Sequence, residues 1–267
     1  MEYPFKTEPF EHQRRAFEES AEFQLYALFW EQGTGKSKVV IDSAGWLFLQ
    51  DKIDGLLVVA PNGVHVNWIK EELVVHLPDC IARQTRAFHW QSTKAQTKWH
   101  QREVERLLKH QGLAVLAISY DAFMSEKGKK FVARFLRHRR CFYTVDESTR
   151  IKTPKAKRTQ SIVASGKYAP FRRVLTGTPV PQGPFDVFSQ VRFLDEDFWK
   201  RQGLGTFTEF KQRFGKWRTA AEVQEEKGFD PGYDLLLDYK DVDVLKGMID
   251  PISSRVTKEE VLDLPDK

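Results

Sequence analysis

The chain has 267 residues, of which 41% are hydrophobic, enough to bury the core of one large domain or two small ones. Two cysteines, Cys80 and Cys141, lie outside any CxxC spacing, no apolar run approaches a membrane span and Met1–Lys6 has no signal core. A disulfide framework, a zinc site and a membrane partner are thereby disfavoured, and the expectation is a soluble intracellular protein with buried free thiols. The net charge of +5 is uneven: residues 195–267 carry 12 Lys and Arg against 17 Asp and Glu, which leaves 30 against 20 for residues 1–194. A basic surface of that size favours polyanions, and it also occurs on proteins that bind no nucleic acid.

In chain order, Pro9–Phe17 opens an amphipathic helix with Phe10, Ala16, Phe17 and Phe23 as its apolar positions and Gln13 on the solvated side. Leu25–Trp30 reads as a buried strand, and Val39, Val40, Ile41, Ala44, Leu47 and Phe48 recur behind it at helical spacing. Between them stands Glu31-Gln32-Gly33-Thr34-Gly35-Lys36-Ser37. Strand, glycine turn and helix form a phosphate-binding context: Gly33 and Gly35 take positive φ, and the N–H groups of the turn face an anion. Lys36 then reaches β and γ phosphates and Ser37 offers its hydroxyl to magnesium. Trp30 stands where the full P-loop pattern has a glycine, so a plain glycine turn carrying Lys-Ser stays open on these residues alone.

Gly55–Pro61 is a second strand, and Asn62 is a plausible N-cap for a helix carrying Val64, Trp68, Ile69 and Leu73. Ile81–Phe88 has the composition of another strand, Ser92–His110 that of a basic amphipathic helix, and Leu113–Ile118 follows as a strand ending at Ser119-Tyr120-Asp121. In Lys127–Arg140 the stripe Lys130, Arg134 and Arg137 reads as a solvated helix face before a nucleic-acid contact. Cys141–Val145 is a strand ending in the adjacent acids Asp146 and Glu147. An acid at the carboxyl end of a parallel strand sits in the ligand crevice; Asp146 suits magnesium and Glu147 suits the general base for an attacking water. Arg172–Thr176 is a last strand, running into Gly177-Thr178-Pro179. The alternation argues for an α/β fold, a parallel sheet with helices on both faces. Beyond Leu194 the aromatics Phe198, Trp199, Phe207, Phe210, Phe214 and Trp217 crowd among charges, and Glu222–Tyr233 is polar with Gly and Pro. That part reads as a mostly helical C-terminal extension with a loop.

The order of these signals resembles superfamily two helicases: Gln13 the Q-motif, Gly33–Ser37 motif I, Ala60-Pro61 with Trp68 motif Ia, Ser119-Tyr120 motif Ib, Asp146-Glu147 motif II and Thr176–Pro179 motif III. The stretches Asp146–Lys152, Leu175–Gln182 and Arg255–Pro265 resemble more narrowly the Swi/Snf-type DNA translocases. The resemblance implies a P-loop NTPase (RecA-like) lobe over residues 1–194, with 195–267 as helical extension and linker toward a second lobe. It implies ATP and Mg2+ as ligands and duplex DNA as partner. Gln13 would read the adenine edge; Gly33, Thr34, Gly35, Lys36 and Ser37 would cradle phosphates; Ser37 and Asp146 would hold the metal, with Glu147 as catalytic base. Thr176 and Thr178 would couple nucleotide to DNA. Tyr120 lies near the lobe's grip on a DNA backbone, and Lys152, with Lys155, Lys157 and Arg158, adds phosphate contacts or a solvated loop.

Two departures stand out. Thr149 replaces the usual histidine of the acidic box, so its link to motif III must differ, and a second RecA-like lobe is expected from a separate or missing polypeptide. The expected function is the ATP-binding lobe of a DNA-dependent ATPase acting on duplex DNA. The rivals are a noncatalytic nucleotide-gated DNA-binding or protein-docking module and half of a split strand-separating helicase; a P-loop kinase lacks an evident substrate lid.

Overall fold

Strands buried on both faces must alternate their side chains between two cores, and the apolar runs do so. In β1 (Leu25–Trp30), Ala27 and Phe29 enter one hydrophobic cluster while Tyr26, Leu28 and Trp30 enter the other. The structure, a computed structural model, describes residues 2–180, 182–229 and 231–261; Pro181 in the motif III stretch and Leu262, Asp263, Leu264 and Pro265 in the C-terminal one lie outside the described residues. The other strands are β2 (Gly55–Ala60), β3 (Thr85–His89), β4 (Leu113–Ser119), β5 (Cys141–Asp146), β6 (Phe171–Leu175), β7 (Gly215–Arg218), β8 (Leu235–Tyr239) and β9 (Ser253–Val256). Seven form one parallel sheet in the order β3-β4-β2-β5-β6-β1-β9. Helices cover both faces, so the expected α/β RecA-like architecture is present. Among the described residues no helix is long and apolar enough to cross a membrane.

One face packs under α1 (Glu11–Ser20), α2 (Lys36–Leu49) and the helical stretch 64–76, which contains a π turn at Trp68–Glu72. The other packs under the helices Lys98–Leu108, Glu126–His138, Lys157–Gly166 and Val187–Leu194. The aromatics beyond Leu194 join that second core: Phe198, Trp199, Phe210 and Phe214 are buried, and the Trp199 indole donates to the Phe188 carbonyl at 2.9 Å. The segment beyond 194 also contributes the antiparallel pair β7-β8 and the edge strand β9, which pairs with β1 from Ala27↔Ser253 to Trp30↔Val256.

Several local expectations give way to chain geometry. Gln13 is buried, and Phe10, which precedes the helix at its N-cap, is exposed. Gly63, at φ +84°, takes the cap expected of Asn62, whose amide turns to the Asp121 carboxylate. Pro78 starts a helical turn, Asp79–Ala82, that buries Ile81 and leaves the strand to begin at Thr85. Within Ser92–His110 the Thr97 hydroxyl caps a new helix by accepting from the His100 N–H, and Trp99 stays exposed. Glu222 lies in a helix, Ala220–Lys227, started by its capping box with Thr219. Cys141 is buried as expected, but Cys80 is exposed on its short helical turn. The cationic stripe is a solvated, ion-paired face, with Lys130 on Glu126 and Arg134 on Glu105.

A buried ion pair clamps the N-terminal segment to α2. Lys38 Nζ donates to Asp42 at 2.9 Å and to the Thr7 carbonyl at 2.8 Å. Removing the cation strands Asp42 in the core, so Lys38→Met is expected to lower the unfolding free energy in urea by about 3–5 kcal/mol, with Lys38→Met/Asp42→Leu recovering most of it. Burial raises the Asp42 carboxyl to about 6. The folded state therefore binds this proton more tightly than the unfolded chain, favouring folding in acid and losing that contribution as pH rises through about 6. The Lys38→Met deficit is expected to shrink when the titration is repeated below that pH.

Candidate active site

The turn after β1 owes its shape to two left-handed glycines, Gly33 at φ +81° and Gly35 at φ +83°. Gly35 is the N-cap of α2, so the free N–H groups of that helix open into the turn. Lys36 folds back beneath it, its Nζ donating to the carbonyls of Trp30 at 2.7 Å and Glu31 at 3.0 Å. Burial lowers the Lys36 pKa, and the charges of Glu147 and Asp146 oppose that shift. Trp30, in place of the pattern's first glycine, is fully buried and its indole donates to Ser254 Oγ at 2.9 Å. Its bulk enters the core, and its carbonyl alone serves the turn.

Gln13 holds the turn from the other side. Its Nε2 donates to the Thr34 carbonyl at 3.1 Å, its Oε1 accepts from the Phe10 N–H, and His12 Nε2 lies 2.8 Å from the same Thr34 carbonyl. A Cβ on Gly35 would stand 2.0 Å from Gln13 Nε2, so any side chain there would displace the Gln13 amide from this position. Thr34 Oγ1 closes the turn onto the Glu31 carbonyl at 2.7 Å.

β5 delivers the acids, with β6 between it and β1. Asp146 is 8% exposed; its Oδ2 accepts from the Trp68 indole at 2.9 Å and its Oδ1 from the Glu147 N–H at 3.0 Å. Burial raises its carboxyl to about 6 despite these donors and the nearby Lys36. Glu147 takes the left-handed conformation at φ +51°, a strained one for a non-glycine residue, and its Oε1 lies 3.4 Å from Gln32 Nε2 of the turn. The turn and the acids are thus brought together. Ser37 is half-buried and faces Glu72 on the π turn, whose pKa burial raises and the Ser37 hydroxyl lowers.

Other expected site residues have partners within the chain. Tyr120 is buried, and its hydroxyl donates to the carbonyls of Asp146 at 2.7 Å and Glu147 at 3.2 Å, so it supports the acids. Arg150 and Arg158 lie over its ring. Lys152 pairs with Asp186 at 3.4 Å, the carboxylate that also accepts from the Gln182 N–H. Lys155 and Lys157 are exposed.

Motif III touches both halves of the site. Thr176 is buried, its hydroxyl accepting from the Thr178 N–H at 3.2 Å, and Thr178 is exposed. A Cβ on Gly177 would lie 3.2 Å from the Gln32 backbone N, so this loop and the phosphate turn meet backbone to backbone. The link to the acidic box runs through a residue not singled out from sequence. Gln190, fully buried, accepts from Ser148 Oγ at 2.5 Å and donates to the carbonyls of Pro179 at 2.7 Å and Asp186 at 3.0 Å. The residue before Thr149 thus makes the connection. The sequence signal for Gln190 is a lone amide inside the apolar run Val187–Leu194.

The chemistry of the residues expected to hold a metal suits a hard divalent cation. The oxygens available are the Asp146 carboxylate and the Ser37 hydroxyl, with no sulfur or imidazole donor among the residues assigned to it. Asp146, buried and raised in pKa, is also an acid whose charged form a cation would stabilise.

The SNF2-related domain model matches residues 24–267. No protein of curated function matches the chain. Two solved structures from Sulfolobus solfataricus superpose on it. The SWI2/SNF2 ATPase core in complex with dsDNA is 21% identical with a TM-score of 0.64, covering 99% of this chain and 48% of that one. The SWI2/SNF2 ATPase core domain is 21% identical with a TM-score of 0.63, covering 99% and 47%. At that identity the likeness is one of fold, and the chain spans about half the length of either core.

Gln190→Met keeps the side chain's volume and removes the buried bond to Ser148 and the half-buried bonds to the Pro179 and Asp186 carbonyls. It is expected to cost about 1–3 kcal/mol in chemical denaturation. Adding Ser148→Ala should cost less than the two single losses summed, as expected for a pair in contact.

Proposed function

The chain belongs to the SNF2-related domain family, and on that footing we propose that it is the ATP-binding lobe of a Swi/Snf-type DNA-dependent ATPase that couples hydrolysis to movement on, or remodelling of, duplex DNA. One observation carries the nucleotide part: the glycine turn with Lys36 and the acids Asp146 and Glu147 converge at one edge of the sheet, with Gln32 spanning the gap to Glu147. The turn's N–H groups and the start of α2 receive the phosphates. Lys36 exchanges its carbonyl partners for phosphate oxygens. Gln13, tied to Thr34, sets the edge of the turn next to which the base lies. Asp146 and Ser37 would hold Mg2+, which when bound supplies neutralisation of the phosphate charge.

Glu147 takes the proton of a water attacking the γ phosphorus as the bond from that phosphorus to the β–γ bridging oxygen breaks, giving ADP and phosphate. Its backbone conformation is held by Asp146 and supported by Tyr120, and its carboxylate lies 3.4 Å from Gln32 Nε2 of the turn. Motif III carries the state of the site outward, because Gly177 abuts the turn and Gln190 ties the Pro179 carbonyl to Ser148. Duplex DNA as the partner is supported by the basic surplus of residues 1–194 and by the fold shared with a core bound to dsDNA. A second lobe would supply the arginines that stabilise the transition state, a contribution of roughly 10³–10⁵ in comparable phosphoryl transfers.

The test is nucleotide binding and turnover by the 267-residue chain, with and without duplex DNA and a second lobe. Lys36→Ala is expected to weaken ATP binding at least roughly 10-fold with the fold retained, since it loses charge-assisted bonds to phosphate; unchanged affinity would remove the turn from the site. Glu147→Gln is expected to keep nucleotide affinity and to lose roughly 10²–10⁴ of the turnover of any active assembly. Full turnover in that variant would exclude Glu147 as the base.

A further inference from the structure

The edge strand β9 ends beside the phosphate turn. Its last residue, Val256, pairs with Trp30 and accepts from the Glu31 N–H at 3.0 Å, while Ser254 takes the Trp30 indole. Two residues on, the Lys258 N–H donates to Glu31 Oε2 at 3.1 Å, and the Thr257 N–H is held by Glu260 at 2.7 Å. These bonds fix the backbone from which the Lys258 side chain leaves. That side chain runs over the turn: a Cβ built on Gly33 would lie 3.9 Å from Lys258 Cε.

The ammonium is poorly served where it lies. Among the described residues no carboxylate forms an ion pair with it, and the acid nearest its backbone, Glu31, is engaged by the Lys258 N–H itself. Burial is the main cause that lowers the Lys36 pKa, and the charge of Lys258 adds to it as the smallest contribution. Two lysines from segments more than 200 residues apart converge on one turn of left-handed glycines. Such an arrangement repels internally and becomes favourable around an anion.

We propose that Lys258, carried by the β9 edge strand, is a second cationic ligand for the phosphate chain of a nucleoside di- or triphosphate bound at the turn. This rests on the nucleotide reading of the turn given above. The segment after β9 is tied to the turn through Glu31, which places Lys258 to act there. The expected contribution is that of a half-exposed charge on a polyphosphate, smaller than that of buried Lys36.

Isothermal titration of the 267-residue chain with ADP, a non-hydrolysable ATP analogue and AMP separates the possibilities. Lys258→Ala and Lys258→Gln are expected to weaken ADP and the ATP analogue about five- to tenfold, to leave AMP unchanged, and to flatten the salt dependence of ADP binding. Lys258→Arg is expected to restore affinity to within about twofold, because it returns the charge. The bonds at Lys258 use its backbone, so the melting temperature without nucleotide should be that of the parent chain, with only the nucleotide-induced rise reduced. Parent-like ADP affinity in Lys258→Ala and Lys258→Gln, with affinity lost in Lys36→Ala, overturns the role of Lys258 and leaves the turn's role standing. Parent-like behaviour of both Lys258→Ala and Lys36→Ala overturns the two together.

Discussion

Asp146 is held almost entirely out of water at the end of β5, and burial alone would drive its carboxyl to protonate. Keeping a usable carboxylate there requires donors aimed at both oxygens and a cation nearby, and much of the surrounding architecture meets that requirement. The Trp68 indole comes from the π turn that follows β2, the Glu147 N–H comes from a residue bent into the left-handed region, and Lys36 comes from the turn after β1. Tyr120, at the end of β4, bonds the carbonyls of both acids. Parts of the chain that follow β1, β2, β4 and β5 therefore meet at one acid, and only a parallel sheet brings all their carboxyl ends to the same edge.

That convergence also brings motif III against the site. Interfaces between loops here are short and polar, and little space separates them. Gly177 approaches the backbone of Gln32 so closely that an added methyl group would crowd it, so motif III and the glycine turn are in direct contact. On the other side Gln190 uses both donors of its amide and its oxygen in one place, receiving Ser148 and serving the carbonyls of Pro179 and Asp186. Asp186 in turn holds Lys152 and the Gln182 N–H. The acidic box and motif III are thus one bonded unit, although Thr149 replaces the histidine usual in this kind of box. The neighbouring serine and a buried glutamine make the connection instead.

The segment beyond residue 194 is joined to the sheet twice. Its aromatics complete the hydrophobic core beneath the Val187–Leu194 helix, and its β9 strand closes the sheet beside β1. Through Ser254, Val256 and Lys258 it reaches Trp30 and Glu31, the two residues whose carbonyls hold Lys36. Anything that shifts β9 along β1 acts directly on the phosphate turn.

The sequence by itself determined the sheet's main strands, the helices between them, the glycine turn and the acid pair, because each is a local pattern: an apolar run, a 3.6-residue recurrence, a glycine at a turn, an acid at a strand end. Family resemblance supplied roles for Lys36, Asp146, Glu147 and Thr176 from those same positions. Local pattern misplaced what depends on a neighbour distant in sequence. Gln13 read as solvated until the glycine turn was folded against it, and the partners of Tyr120 and Lys152 within the chain were not legible. Gln190 and Lys258 gave little signal, since one is an amide in an apolar helix and the other a lysine after a short strand. β9 itself has only four residues and becomes a strand because β1 offers it an unpaired edge. Tertiary structure decided these positions, because burial and hydrogen-bond satisfaction are set by which segments meet.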